Sequence, residues 1–440
     1  MPTYYPGLAQ RVRSQRELQP GLYGDLDLDK QPYRLATGPD DPSSLPSWAA
    51  DRTAILADDR IVELMSTATM LGDIVADPFA ALSAEHSVTS LVTMVRRACR
   101  EGLEAVPDTP PELVAFISAM EDAPDWLDAD LVRRGAREAR IPAALLAPFV
   151  TRGAFIATFT NTYAALPMAL TGALSGRRAA RRVNETASFF AVTTLPGALD
   201  RHGPGFEAAA MVRLMHSMVR YNALKRSDRW DPDIYGVPVP QVDQMPAGMI
   251  DLYLLALRVR GQGRTEFTEG ERAQVEFSRY RCFLLGLPEE LLPTTPQAII
   301  DVFHARGALL RAGFDDATCG ELIRSTMAAY LRPRDTRFDR IADAVERSYS
   351  RAGFVIAFCR GSRRVARGMG VTLGPADYAR IAVTAPFILG RLLLATGASR
   401  IPILEPAVDR YLTRLVERRL ADYGSPEFVS DARTYTPIAA

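Results

Sequence analysis

From Trp48 onward the chain keeps one rhythm: apolar residues recur at spacings of three and four, and short Pro, Asp or Gly breaks separate the segments. DRIVELMSTATMLGDIV, VTSLVTMVRRACREGL and PELVAFISAME show it early, and ERAQVEFSRYRCFLLGL, PQAIIDVFHARGALLRAGF and LEPAVDRYLTRLVERRLADYG show it late. No run of alternating β-branched residues is long enough to specify a strand. The pattern therefore predicts an all-α protein. With no repeat period and no long linker, it predicts a large single-domain helical bundle over residues 49–440. Residues 1–48, rich in Pro, Gly and Asp, read as an extended arm lying over that bundle. Of the 440 residues 48% are hydrophobic, enough to fill a large core. Several helices, ADYARIAVTAPFILGRLLLATG among them, are apolar around most of their circumference, which assigns them to its interior.

Composition narrows the function by exclusion. A formal net charge of zero offers no field to hold a phosphate backbone or an anionic membrane, so nucleic acid is not an expected partner. Residues 154–174, AFIATFTNTYAALPMALTGAL, are uncharged and long enough to span a bilayer. Asn161, Pro167 and Gly172 interrupt them, however, and a buried helix pair is expected in place of stable membrane insertion. Cys99, Cys282, Cys319 and Cys359 lie far apart, as reduced cytoplasmic thiols do, and the N-terminus carries no export signal; a cytoplasmic protein is expected. Phosphate-cradling glycine motifs, HExxH and GxSxG are all missing.

Two helical segments carry chemistry. In MVRLMHSMVRYNALKR, His216 lies between Arg213 one turn before and Arg220 one turn after, on one stripe that holds no carboxylate. Cations on either side disfavour protonating the imidazole and leave a lone pair, as a metal ligand requires, and two guanidinium groups suit two carboxylates on a bound molecule. A haem has both an iron and two propionates. In the other reading the arginines splay into solvent and His216 is an ordinary half-buried residue. In GRRAARRVNETASFFAV, Arg182, Glu185 and Thr186 share a face one turn before Phe189 and Phe190. A carboxyl and a hydroxyl beside an aromatic pair suit proton transfer at an apolar site, and the bland alternative is an exposed Arg181–Glu185 ion pair at i,i+4. His86, His202 and His304 carry no comparable pattern.

Taken in order, ALTGALSGRRAARRVNETASFF, LPGALDRHGPGFEAAAMVRLMHSMVRYNAL and YGVPVPQVDQMPAGMIDLYLLAL resemble the latex clearing protein and MpaB family of haem-dependent oxygenases. The likeness runs from about residue 124 to residue 260 and more loosely beyond. MVRLMHSMVR is its most specific part, because R-x-x-H-x-x-x-R follows an R-x-x-E-T-like helix and precedes a P-x-x-Q-x-D-like loop. The resemblance implies a globin-like helical core with extra surrounding helices, and one b-type haem whose iron His216 ligates. It implies that Arg213 and Arg220 hold the propionates or support the ligand, and that Arg182, Glu185 and Thr186 form the distal side. Three departures stand out, one of them the missing export signal, which points away from an insoluble extracellular polymer as substrate. Glu185 replaces a distal lysine, and Met249, in PAGMI, stands where the family has A-G-T.

The expected function is haem b-dependent oxygenation, by dioxygen, of a small hydrophobic, unsaturated, isoprenoid-like substrate, extending to oxidative cleavage of a C=C bond. Glu185 would be the base or proton shuttle, and an electron donor is a further expected partner; no oligomeric state follows. The alternatives are an oxidase, desaturase or cyclising enzyme of specialised metabolism, and a non-catalytic haem protein that carries or senses a gas.

Overall fold

Helix starts are marked by side chains that take up otherwise unpaired N–H groups. Asp58 accepts from the N–H of Arg60 and Ile61, Ser87 from Ser90, Thr295 from Ala298 and Thr336 from Asp339. Thr268 and Glu271 cap each other reciprocally at the start of Glu269–Leu284. The computed structural model describes residues 4–46, 48–172 and 177–424. Among the described residues helices dominate, and extended pairing is limited to the isolated bridges Leu35–Leu310 and Ser43–Arg311. The all-α expectation holds.

The chain divides into two compact units, each made of two stretches. Among the described residues, the first takes the chain up to Gly135 and Leu199–Gly313; the second takes Ala136–Ala198 and residues 314–424. Residues of the expected arm belong to the first unit, where Pro6–Leu18 is a helix that buries Leu8, Ala9, Val12 and Gln15. Proline at its first position supplies the helical φ where no N–H is needed.

In the first unit, Pro204–Arg226 packs on Ala76–Ala81 and Val88–Glu101, and Gln241–Gly261 packs on Pro296–Leu309 and Glu269–Leu284. Pro204–Arg226 is buried over most of its length, as a central helix must be. The stretch expected to be a loop before PAGMI is the first turn of Gln241–Gly261, which also accommodates Pro246. In the second unit, Ala147–Ala157 and Thr162–Leu170, with Asn161 capping the latter, bury Phe155, Ile156, Phe159 and Ala165 against Ile323, Phe354 and Val355. This is the buried pair anticipated for the apolar passage from residue 154; residues 173 and 174 lie outside the described residues.

One expectation fails outright. Pro375–Ala398, assigned by its composition to the interior, buries only Asp377.

Ala147–Ala157 and Arg337–Ala357 approach so closely that a Cβ at Gly153 would overlap the Ser350 carbonyl oxygen. Backbone yields little, so Gly153→Ala should cost about 1–3 kcal/mol, visible as a lowered Tm. On the facing helix Glu346 lies 3.1 Å from Arg332 and 3.8 Å from Arg152, yet burial pushes its carboxyl up to about 7. A carboxyl with a raised folded-state pKa binds its proton more tightly in the native protein. Stability should therefore fall as pH rises from about 4.5 to 7. Glu346→Gln should flatten that slope in thermal melts taken across the window.

Candidate functional site

His216 sits midway along Pro204–Arg226, half-buried, with Arg213 and Arg220 a turn to either side as the spacing predicted. Neither arginine splays into solvent. Arg213 Nε and one terminal nitrogen donate to Asp73 at 2.6 and 2.9 Å, a bidentate pair almost without exposure. Arg220, wholly buried, lies 3.3 Å from Asp77 and also donates to the His216 carbonyl at 3.3 Å. The helix's own stripe lacks carboxylates; a segment 140 residues earlier in the chain supplies them.

The aspartates respond differently to the same burial. Desolvation works against Asp73, but Arg213, joined by the Ala76 N–H and Arg220, outweighs it and holds the carboxyl below the usual range. Desolvation and the charge of Asp73 instead push Asp77 up. Tyr23 donates to Asp77 at 2.5 Å, and burial beside that carboxylate raises the phenol well above its ordinary value. Two glycines make room. A Cβ at Gly72 would crowd Tyr23, Arg220 and Asp77, and one at Gly286, where φ is +89°, would meet Arg213 and Asp73.

The histidine ring is fixed by a relay of amides. His216 Nδ1 is 2.8 Å from Gln244 Oε1, Gln244 Nε2 is 3.0 Å from Gln241 Oε1, and Gln241 Nε2 is 2.9 Å from the Gly72 carbonyl. That carbonyl can only accept, so Gln241 must turn its NH2 toward it and its oxygen toward Gln244. Gln244 must then give its NH2 to Gln241 and its oxygen to the imidazole. Nδ1 therefore carries the proton, and the neutral ring has its lone pair on Nε2. Gln15 secures the far end, accepting from the Gly72 N–H at 2.6 Å and donating to the Met70 carbonyl at 2.9 Å.

Asp243, next in sequence, is held below the usual carboxyl range despite burial by Arg34 and Arg306, each at 2.7 Å. These two ion pairs anchor the first turn of the helix that carries the glutamines. Met249 is fully buried one turn beyond Met245 on the same helix.

Arg182, Glu185 and Thr186 share a face of Arg177–Val192, in the second unit. Glu185 lies 3.2 Å from Arg181 and 3.6 Å from Arg182, and Thr186 donates to the Arg182 carbonyl. The i,i+4 ion pair of the bland reading thus forms, although Glu185 is largely buried. Phe189 and Phe190 meet edge to face at 5.3 Å. Two of the other three histidines have ordinary partners: His202 bonds the Cys99 carbonyl and His304 the Tyr253 hydroxyl.

Residues 143–389 match the protein family described as ER-bound oxygenase mpaB/B'/Rubber oxygenase, catalytic domain, a span that holds His216, Glu185 and both glutamines. The chain belongs to this family. A solved structure, that of latex clearing protein LCP in the closed state, superposes with a TM-score of 0.55 at 18% identity, covering 80% of this chain and 91% of that one. At that identity it supports the fold alone. No curated protein matches the chain.

Asp73, Asp77, Gly72, Gln15 and Tyr23 precede the family span, and reasoning from the motifs missed them all. The available signal was MLGDIVADPFAAL, two acids in an apolar stretch without a cation of its own. Removing one member of a buried pair strands the other, so Asp73→Ala should cost about 3–5 kcal/mol in chemical denaturation. Asp73→Leu combined with Arg213→Met should recover most of that loss, because no buried charge is then left alone.

Proposed function

We propose that the chain is a haem b-dependent oxygenase of small hydrophobic, unsaturated molecules. Family membership supports the oxygenase class, and rubber, named in the family description, is an unsaturated hydrocarbon polymer. The observation that carries the haem reading is the amide relay. It forces His216 into the tautomer that presents an Nε2 lone pair, the form in which a histidine ligates a metal. Among the described residues no cluster of three or more His, Cys, Asp or Glu side chains is arranged to hold a bare ion. A single imidazole would suit an iron whose other, protein-independent ligands come from a macrocycle.

The fit has a limit. Arg213 and Arg220 are committed to Asp73 and Asp77, so in this reading they do not hold propionates. They fix the height and rotation of the histidine helix instead. Bound through Nε2, the haem would supply the capacity to activate dioxygen. Gln244 would keep Nδ1 protonated and the ring plane fixed, and Gln241 with the Gly72 carbonyl would prevent Gln244 from turning over. Glu185 is assigned the handling of protons. Its pairing with Arg181 and Arg182 means that the carboxylate must loosen from a guanidinium before it accepts one. Thr186, tied to the helix backbone, would offer a hydroxyl of set direction.

Purified protein should show a Soret band that shifts on reduction with dithionite under carbon monoxide. His216→Ala should abolish it or weaken it several-fold, while Glu185→Gln should retain the haem and lose at least about tenfold in turnover. A folded protein that stays colourless after growth with a haem precursor would defeat the proposal. Oxygen-18 supplied as dioxygen should appear in the product; its absence would favour a desaturase or oxidase.

A further inference from the structure

Pro375–Ala398 is uncharged over most of its 24 residues and is long and apolar enough to cross a bilayer, yet none of its most apolar stretch is buried. Phe387 and Leu394 are each 75% exposed, Val383 and Leu393 each 70%. At 100° per residue these side chains, with Leu389, cover roughly half of the helix circumference. The surface continues beyond the helix end through Ile401, Ile403 and Leu404, with Ile403 85% exposed. A contiguous apolar surface of this kind is uncommon on a protein that meets only water.

The opposite half of the helix is occupied. Leu392 and Ala395 pack with Leu412 and Val416, and Thr384 bonds the hydroxyl of Tyr349, which in turn donates to the Ile381 carbonyl. A helix packed along one side on its own protein cannot be ringed by lipid. It can lie in the plane of an interface with its open half immersed.

Charge selects the occupant. Between Arg360 and Leu404 the sequence has seven arginines and one acid, Asp377, a surplus of six positive charges on a chain whose net charge is zero. Asp377 is buried and paired with Arg351 and Arg380. Arg363, Arg364 and Arg367 are exposed just before the helix, Arg391 within it and Arg400 just after it. A second copy docking by two-fold symmetry would press like charge on like. Anionic phospholipid supplies both the apolar layer and the countercharge.

We infer that this arginine-fringed face of Pro375–Ala398 and the following loop docks the protein, lying in the interfacial plane, on an anionic membrane surface. The inference stands on the second unit alone and is independent of the haem. The zero net charge that argued against a membrane partner hides a strongly cationic patch.

The full-length protein should co-sediment with phosphatidylglycerol-containing vesicles at low salt, and much less with pure phosphatidylcholine. Phe387→Glu with Leu394→Glu should weaken that binding at least about tenfold, and so should reversing Arg363, Arg364 and Arg367 to Glu. All these side chains are exposed, so the variants should melt as the parent does. Equal binding to both vesicle types, no binding to either, or binding indifferent to both sets of substitutions would overturn the inference. So would a concentration-dependent dimer, measured by light scattering, that the Phe387 and Leu394 substitutions abolish in a protein that ignores vesicles.

Discussion

A guanidinium sealed from water keeps its charge only beside an anion, and two of them on one helix dictate what must pack against it. Arg213 and Arg220 can be buried because Asp73 and Asp77 reach them from a segment far away in the sequence. Removing that segment would make the helix's burial too costly, and the ridge that presents His216 would lose its fixed position. Gly72, pressed between Tyr23 and Arg220, is where the constraints converge. Its missing side chain admits the ion pair, its N–H is held by Gln15, and its carbonyl orients the amides behind the imidazole. Ion pairing and tautomer selection are thus built on the same few residues.

The relay contains no group that titrates in the physiological range. A carboxylate behind a ligating histidine draws the Nδ1 proton toward itself and enriches the ring in electrons, whereas a neutral amide oxygen accepts the same hydrogen bond with much less pull. The buried carboxylates stand beside the relay, matched to arginines. Charge is spent on holding helices together and kept off the ring.

Helical class could be read from the sequence because periodicity is a local property, and His216 with its flanking arginines could be read because three residues on one helix obey the same geometry. Partners brought in from elsewhere could not. Nothing in MVRLMHSMVR states that its cations meet Asp73 and Asp77, and nothing in QVDQ states that one glutamine braces another. Asp243 looked like part of a loop motif and proves to be doubly paired at a helix start. Glu185 shows the reverse case, where the local i,i+4 rule alone anticipated its pairing with Arg181. Pro375–Ala398 misled for a different reason. An apolar circumference says that a helix avoids water, without saying whether protein or lipid takes the place of water.

The long separation between the aspartates and their arginines also sets an order of events at the ribosome. Asp73 is 140 residues ahead of Arg213, roughly 7 to 28 seconds of chain elongation. During that interval the two carboxylates lack their native partners Arg213 and Arg220, so the buried ion pairs of the first 135 residues cannot yet form. Those pairs must wait while the chain builds part of the second unit and returns at Leu199. A nascent protein of this design lacks them until its histidine helix emerges, and any chaperone that attends it has that window in which to act.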